Sequence, residues 1–143
     1  MKWSKIPNLI DDVPSAASFT VLLVAVDTSD VEVLQSAEII YRDLKMHGLT
    51  VLFDDRNENA VKKLKDAELL GRPIRLTIGA DGLQNGEVEV HFEAHSLERP
   101  NEWSIEHRKS QKLTQMIRVD ECVERVGEIA DELLKIRKFP QTP

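Results

Sequence analysis

One cysteine, Cys122, stands alone in a chain of 143 residues, which excludes an internal disulfide and a thiolate cluster for zinc and fits a reducing compartment. No apolar run approaches the roughly 20 residues that cross a bilayer, and the opening MKWSKIPNLIDD lacks the apolar core of a signal peptide. These absences place the protein, as an expectation, in the cytoplasm without a membrane partner. Nor is there the excess of Lys and Arg that holds nucleic acid non-specifically: 19 basic against 25 acidic residues leave a net charge of -6. That balance rules out a generic phosphate binder, but not a module that reads a few unpaired bases through acceptors as well as donors. Glycine is sparse at six residues. No G-x-G-x-x-G follows the first apolar segment and no G-x-x-x-x-G-K-[ST] occurs, so the phosphate cradles of nucleotide enzymes are missing and no cofactor is expected.

What is present is 41% hydrophobic and 31% charged sequence, enough for one α/β domain with its own core. Residues 1–19 carry two prolines and no sustained period, and read as a leader or linker with a short helical turn near Leu9. The domain is expected over 20–138, followed by a tail at 139–143. Thr20 to Val26 is an unbroken apolar run, the signature of a central strand covered on both faces. Ser29 and Glu32 have capping-box spacing, and Leu34, Ala37, Ile40 or Tyr41, and Leu44 form the stripe of a helix that Gly48 stops. A second strand, Leu49 to Phe53, follows this crossover and so should pair in parallel with the first. Asn59 is placed to cap a helix from Ala60 to Leu70, stopped by Gly71 before Pro73.

Ile74, Leu76 and Ile78 alternate with polar residues, as do Val88, Val90 and Phe92, and GADGLQNG between them reads as a reversal. The sheet is therefore mixed, of four or five strands flanked by three helices. Residues 94–112 read as an inserted loop, Leu113 to Ile117 as a short edge strand, and Val119, Cys122, Val123, Val126, Ile129, Ala130, Leu133 and Leu134 as the stripe of a long terminal helix.

Few side chains are placed for chemistry. His91 and His95, with Glu93 or Glu98, are poor metal ligands because no further ordered ligand joins them; solvated histidines are the better reading, and no metal is expected. Cys122 lies on an apolar stripe as core material. Glu87, Glu89 and Glu93 alternate on a solvated strand face. Trp103 either pins the insert or anchors a partner, with the pin favoured. No catalytic residue is expected.

Asp54, Asp55, Arg56 and Glu58 differ, because they follow directly on a buried strand, where open α/β sheets bind ligands. Between Asp54 and Arg75, acidic and basic residues are balanced, which suits hydrogen bonding to the edges of splayed bases. The plainer alternative is that these charges pair with one another along the surface, as Lys62 and Asp66 would at i, i+4.

The ordered set Asp54, Asp55, Arg56, Glu58, Lys63, the run Asp66 to Gly71, Pro73, Gly79, Leu83, Gly86, Val88 and Glu89 resembles the C-terminal anticodon-binding domain of class II aminoacyl-tRNA synthetases, and within them most closely the prolyl enzymes. The chain differs from that pattern at Asn59, Ala60, Val61, where the family has glycine, and Leu64, where it has phenylalanine. The resemblance implies an RNA-binding surface of Asp55, Arg56, Glu58, Lys63 and Glu89, and a tRNA partner, most directly proline tRNA. It also implies a synthetase catalytic domain in the parent protein and a homodimer formed through that parent. The motifs of the catalytic half are absent, so this chain alone does not aminoacylate. A free-standing relative that binds protein or RNA is the alternative, with a small acidic enzyme centred on Asp54 and Asp55 a third.

Overall fold

A computed structural model describes residues 1–6, 9, 19–94 and 111–138. Trp103, His95, Glu98 and the tail at 139–143 lie outside the described residues. The elements are β1 (Val21–Ala25), α1 (Val31–Met46), β2 (Val51–Asp54), α2 (Ala60–Leu70), β3 (Ile74–Ile78), the short α3 (Ala80–Gln84), β4 (Glu87–Ala94), β5 (Gln111–Arg118) and α4 (Cys122–Lys138). They form one mixed five-stranded sheet in the order β2-β1-β3-β4-β5, in which β1 pairs in parallel with β2 and β3, and β4 runs antiparallel to both β3 and β5. This is the expected α/β class. β1 is an interior strand, although β3 holds the middle position.

β1 is apolar throughout because each face meets its own core. Val21, Leu23 and Ala25 join Phe53, Ile74, Leu76, Ile78, Val88 and Val90 beneath α1 and α4. Leu22 and Val24 join Leu52, Ala67, Leu70, Trp3 and Leu9 on the side of α2. Tyr41 of α1 tilts onto Phe53 at 5.3 Å between ring centroids, and Cys122 of α4 is buried in the larger cluster.

Several local expectations are corrected. The cap of α1 is Asp30, whose carboxylate accepts from the Val33 amide at 3.2 Å; Ser29 instead donates its hydroxyl to Asp27. Asn59 caps α2 as expected, accepting from the Lys62 amide at 2.8 Å, and Gly71 ends it at φ 58, a left-handed conformation that suits glycine. The reversal after β3 contains a helical turn, α3, before Gly86 turns into β4 at φ 70. The expected insert is shorter at both ends, since Ala94 ends β4 and Gln111 and Lys112 already belong to β5. Cross-strand pairing extends β5 beyond its own apolar residues, all the way along β4.

The first residues pair with β2. The Met1 nitrogen donates to the Val51 carbonyl at 2.7 Å, the Phe53 amide donates to the Met1 carbonyl at 2.8 Å, and Lys2 bridges to Phe53 in parallel. The segment thus lengthens the sheet at the β2 edge before a 3-10 turn over Trp3–Lys5. Trp3 is 3% exposed and Leu9 2%. Truncating a buried tryptophan costs about 3–5 kcal/mol, so Trp3 and Leu9 contribute to the packing of the folded domain.

Candidate nucleic-acid interface

The two parallel connections bring the exits of β1 and β2 side by side. At the β1 exit Asp27 accepts from both the amide and the hydroxyl of Ser29, which hold its carboxyl below the usual range. Thr28 reaches across to the Arg56 carbonyl at 3.4 Å and ties the two exits together.

Asp54, the last residue of β2, has no exposed surface. Its carboxylate is gripped by a guanidinium fork: Arg56 Nε donates to Oδ1 at 2.8 Å and Nη2 to Oδ2 at 2.9 Å. The third arm, Nη1, donates at 3.0 Å to Asp66 on α2, which also receives Lys62 at 3.2 Å. The indole of Trp3 lies 3.8 Å from the guanidinium carbon, a stacked arrangement that arginine favours. Burial alone would push the Arg56 guanidinium down, but the hydrogen bonds and charges of Asp54 and Asp66 outweigh it and raise its pKa. The expectation that these charges pair with one another therefore holds for Arg56 and for Lys62 with Asp66. Three of the five guanidinium N–H groups serve the fold, leaving two for a ligand.

The remaining expected residues separate. Asp55 is half-buried and accepts from the Ser4 amide (2.9 Å, Oδ1) and the Ser4 hydroxyl (2.8 Å, Oδ2). Glu58 is half-exposed and accepts from the Asn59 amide at 3.3 Å. Lys63 departs from expectation: its side chain has no exposed surface and its ammonium donates to the Ala25 carbonyl at 2.7 Å. Burial lowers its pKa, with nearby Asp54 opposing the shift. A helix position on the apolar side of α2 turns the lysine inward, beside Asp66 and Ala67 among the buried residues of that helix. It supports the exit of β1 from behind and presents no donor to solvent.

Glu89 lies on a different strand but in the same transverse row. The register runs Asp54 to Val24, Val24 to Thr77, Thr77 to Glu89 and Glu89 to Met116. Paired residues share a face, so Glu89 is on the α2 side of the sheet, three strand spacings or about 14 Å from Asp54. α2 and the first residues cover β1 and β2 on this side; Thr77, Glu89 and Met116 retain exposed surface. The arrangement is a step. The Asp54 to Asn59 loop forms its riser and the polar face of β3, β4 and β5 its tread.

Asp66 and Arg75 belong to the run of charges read after β2, but nothing in that run marks Thr77 or the meeting of Arg75 and Thr77 with β4. Among the described residues, Arg75 Nε and Thr77 Oγ1 are the buried side-chain atoms without a hydrogen-bond partner. Their positions were readable as the polar alternates of β3; that they meet Glu89 and His91 needed the register. His91 itself pairs with Thr114 through Nδ1 at 2.9 Å. Burial pushes the Cys122 thiol up to about 11, as suits a core residue. Among the described residues no cluster of three or more His, Cys, Asp or Glu could hold a metal, and no helix is long and apolar enough to cross a membrane.

Comparison with known proteins adds the family. Proline–tRNA ligase of Geobacter sulfurreducens is 46% identical over 74 residues, which are 52% of this chain and 13% of that protein. The same enzyme of Syntrophotalea carbinolica is 46% identical over 78 residues, 54% of this chain and 14% of that protein. That of Endomicrobium trichonymphae is 45% identical over 74 residues, 52% and 13% respectively. The chain thus matches about one seventh of the length of these relatives. Residues 20–129, well over half of the chain, match the family described as "Anticodon binding domain", and the chain belongs to that family.

Proposed function

We propose that this chain reads the unpaired anticodon bases of a tRNA, most directly proline tRNA, as the C-terminal domain of a prolyl-type class II synthetase. In this reading the chain itself is non-catalytic and works in the cytoplasm, while a catalytic domain of the parent protein carries out aminoacylation and pairs two copies into a dimer. The observation that carries the proposal is the transverse row that runs from the Asp54 loop to the partly exposed Glu89 on the polar side of the sheet, in a domain of the anticodon-binding family.

Glu58 and Glu89 offer acceptors to the amino and imino groups of guanine-type edges. Asp55 has one lone-pair direction on each oxygen beyond those taken by Ser4. Arg56 offers its two remaining N–H groups to base acceptors or an adjacent phosphate. Lys63 acts behind this surface by fixing the carbonyl at the β1 exit. Base contacts of this kind specify, whereas phosphate contacts supply affinity. A domain of net charge -6 should therefore discriminate between loops while binding weakly, and lose its affinity as salt rises.

The test is binding of a proline anticodon stem-loop at low salt against the same stem-loop with its central anticodon bases changed, alongside Glu58→Gln and Glu89→Gln. Preference for the proline loop, diminished in both variants, is the expected result. Equal binding to both loops would instead favour a protein-binding role for this face.

A further inference from the structure

Residues 1–6 lie outside the span that matches the family, yet they touch two of the residues assigned to base reading. Trp3 covers one face of the Arg56 guanidinium at 3.8 Å, and Ser4 engages both carboxylate oxygens of Asp55. We infer that Trp3 and Ser4 are positioning residues of the base-reading loop, so that this segment completes a site whose other parts come from the family-matched domain. The inference rests on the anticodon reading above.

The geometry shows what the two residues accomplish. Arg56 is already held in its own plane by Asp54 and Asp66, but a small tilt of the guanidinium bends these in-plane hydrogen bonds little and is opposed only softly by them. A stacked indole blocks that tilt and fixes the direction of the two N–H groups that remain. Asp55 follows the last residue of β2, where the sheet no longer constrains its side chain. With an N–H on one oxygen and an O–H on the other, Ser4 sets the carboxylate plane and leaves a lone pair on each oxygen for a ligand. Both contacts stop motions that a bound base would otherwise have to stop itself, and ordering of this kind before binding raises affinity and discrimination.

A strap that opens to admit RNA is the competing reading. Trp3 is 3% exposed, packed in the cluster of Leu22, Val24, Leu52, Ala67 and Leu70, and anchored through the ladder of Met1 and Lys2 with β2. Withdrawing it would break both the core and the sheet edge, so the segment is a fixture rather than a lid.

The experiment uses the full chain. Trp3→Leu keeps an apolar filler and removes the stacking face, Trp3→Phe restores a ring, Ser4→Ala removes the hydroxyl and Ser4→Thr restores it. Each variant is first checked for a cooperative melt. The readouts are affinity for the proline and altered stem-loops at low salt, and the Arg56 Nε–H resonance, which the indole ring current displaces. Trp3→Leu should lose about tenfold in loop discrimination together with the ring-current shift; Trp3→Phe should keep most of both. Ser4→Ala should lose a smaller factor that Ser4→Thr recovers. Folded Trp3→Leu that discriminates as well as wild type, or binds more tightly, overturns the inference, the second result identifying the segment as a mask. Should Trp3→Leu fail to fold, the Ser4→Ala and Ser4→Thr pair decides alone. Loss of discrimination in Glu58→Gln and Glu89→Gln shows that the anticodon reading stands whatever Trp3 does; silence in both brings that reading down separately.

Discussion

Asp54 and Arg56 form a buried pair with one exposed shoulder: the Asp54 side chain is fully buried and that of Arg56 is 18% exposed. Removing one partner of such a pair leaves the other charge uncompensated, at a cost of about 3–5 kcal/mol. Arg56→Ala should therefore lower the denaturant midpoint steeply, and Asp54→Ala combined with it should recover part of the loss. A loss below about 1 kcal/mol in the single variant would mean that water reaches Asp54 freely. It follows that Arg56→Ala is a poor probe of RNA binding, since it tests folding first. Lys63 gives a second residue-scale outcome. Because its pKa is lowered in the folded state, the unfolded chain holds the proton more tightly, and the burden on folding is present in full below the lowered value. It is relieved as pH rises from there to the ordinary lysine value of about 10.4. Stability of the native protein relative to Lys63→Met should thus rise with pH on the approach to the ordinary lysine value of about 10.4, as followed by denaturant titration of both proteins. A flat or falling difference would contradict the burial of the ammonium.

At the scale of elements, the two long helices before β3 start from different caps, and the difference can be tested. Asp30 accepts from the Val33 amide, whereas Ser29 is occupied with Asp27. Asp30→Ala should cost about 1 kcal/mol, as loss of a helix cap does, and Ser29→Ala should be close to silent in thermal melts; the reverse order would restore the capping box read from the sequence. That misreading has a simple cause, because Ser29 and Asp30 are both good caps and sequence spacing cannot show which one has its oxygen free. The apolar runs and stripes were easier: β1, α1, α2 and β3 follow directly from periodicity and glycine stops, since burial on a known number of faces leaves a period. Other features had no such period. Lys63 reads as a surface charge in any one-dimensional pattern, and only the inward face of α2 and the Ala25 carbonyl explain it. Trp3 and Leu9 sit among prolines and polar residues; pairing of Met1 and Lys2 at the β2 edge, between segments about fifty residues apart, brings Trp3 to the sheet, and both side chains are buried in the smaller apolar cluster.

For the whole molecule, the candidate site is a product of topology. The sequence places Asp55, Arg56 and Glu58 together, but Glu89 enters only because β3 lies beside β1 and β4 returns along β3 in a register that aligns Thr77 with Glu89. Opposite this polar face, α1 and α4 cover the sheet with the larger apolar cluster, while the proposed reading surface takes the part of the other side beyond the smaller cluster beneath α2 and the first residues. The most direct measurement of this division is an amide-shift titration of the full chain with a proline anticodon stem-loop at low salt. The expected result is that amides of the Asp54 to Asn59 loop, Thr28, Thr77 and Glu89 shift with the added RNA while those of α1 and α4 stay in place. Shifts concentrated on α1 and α4, or a pattern indifferent to the anticodon bases, would contradict the account.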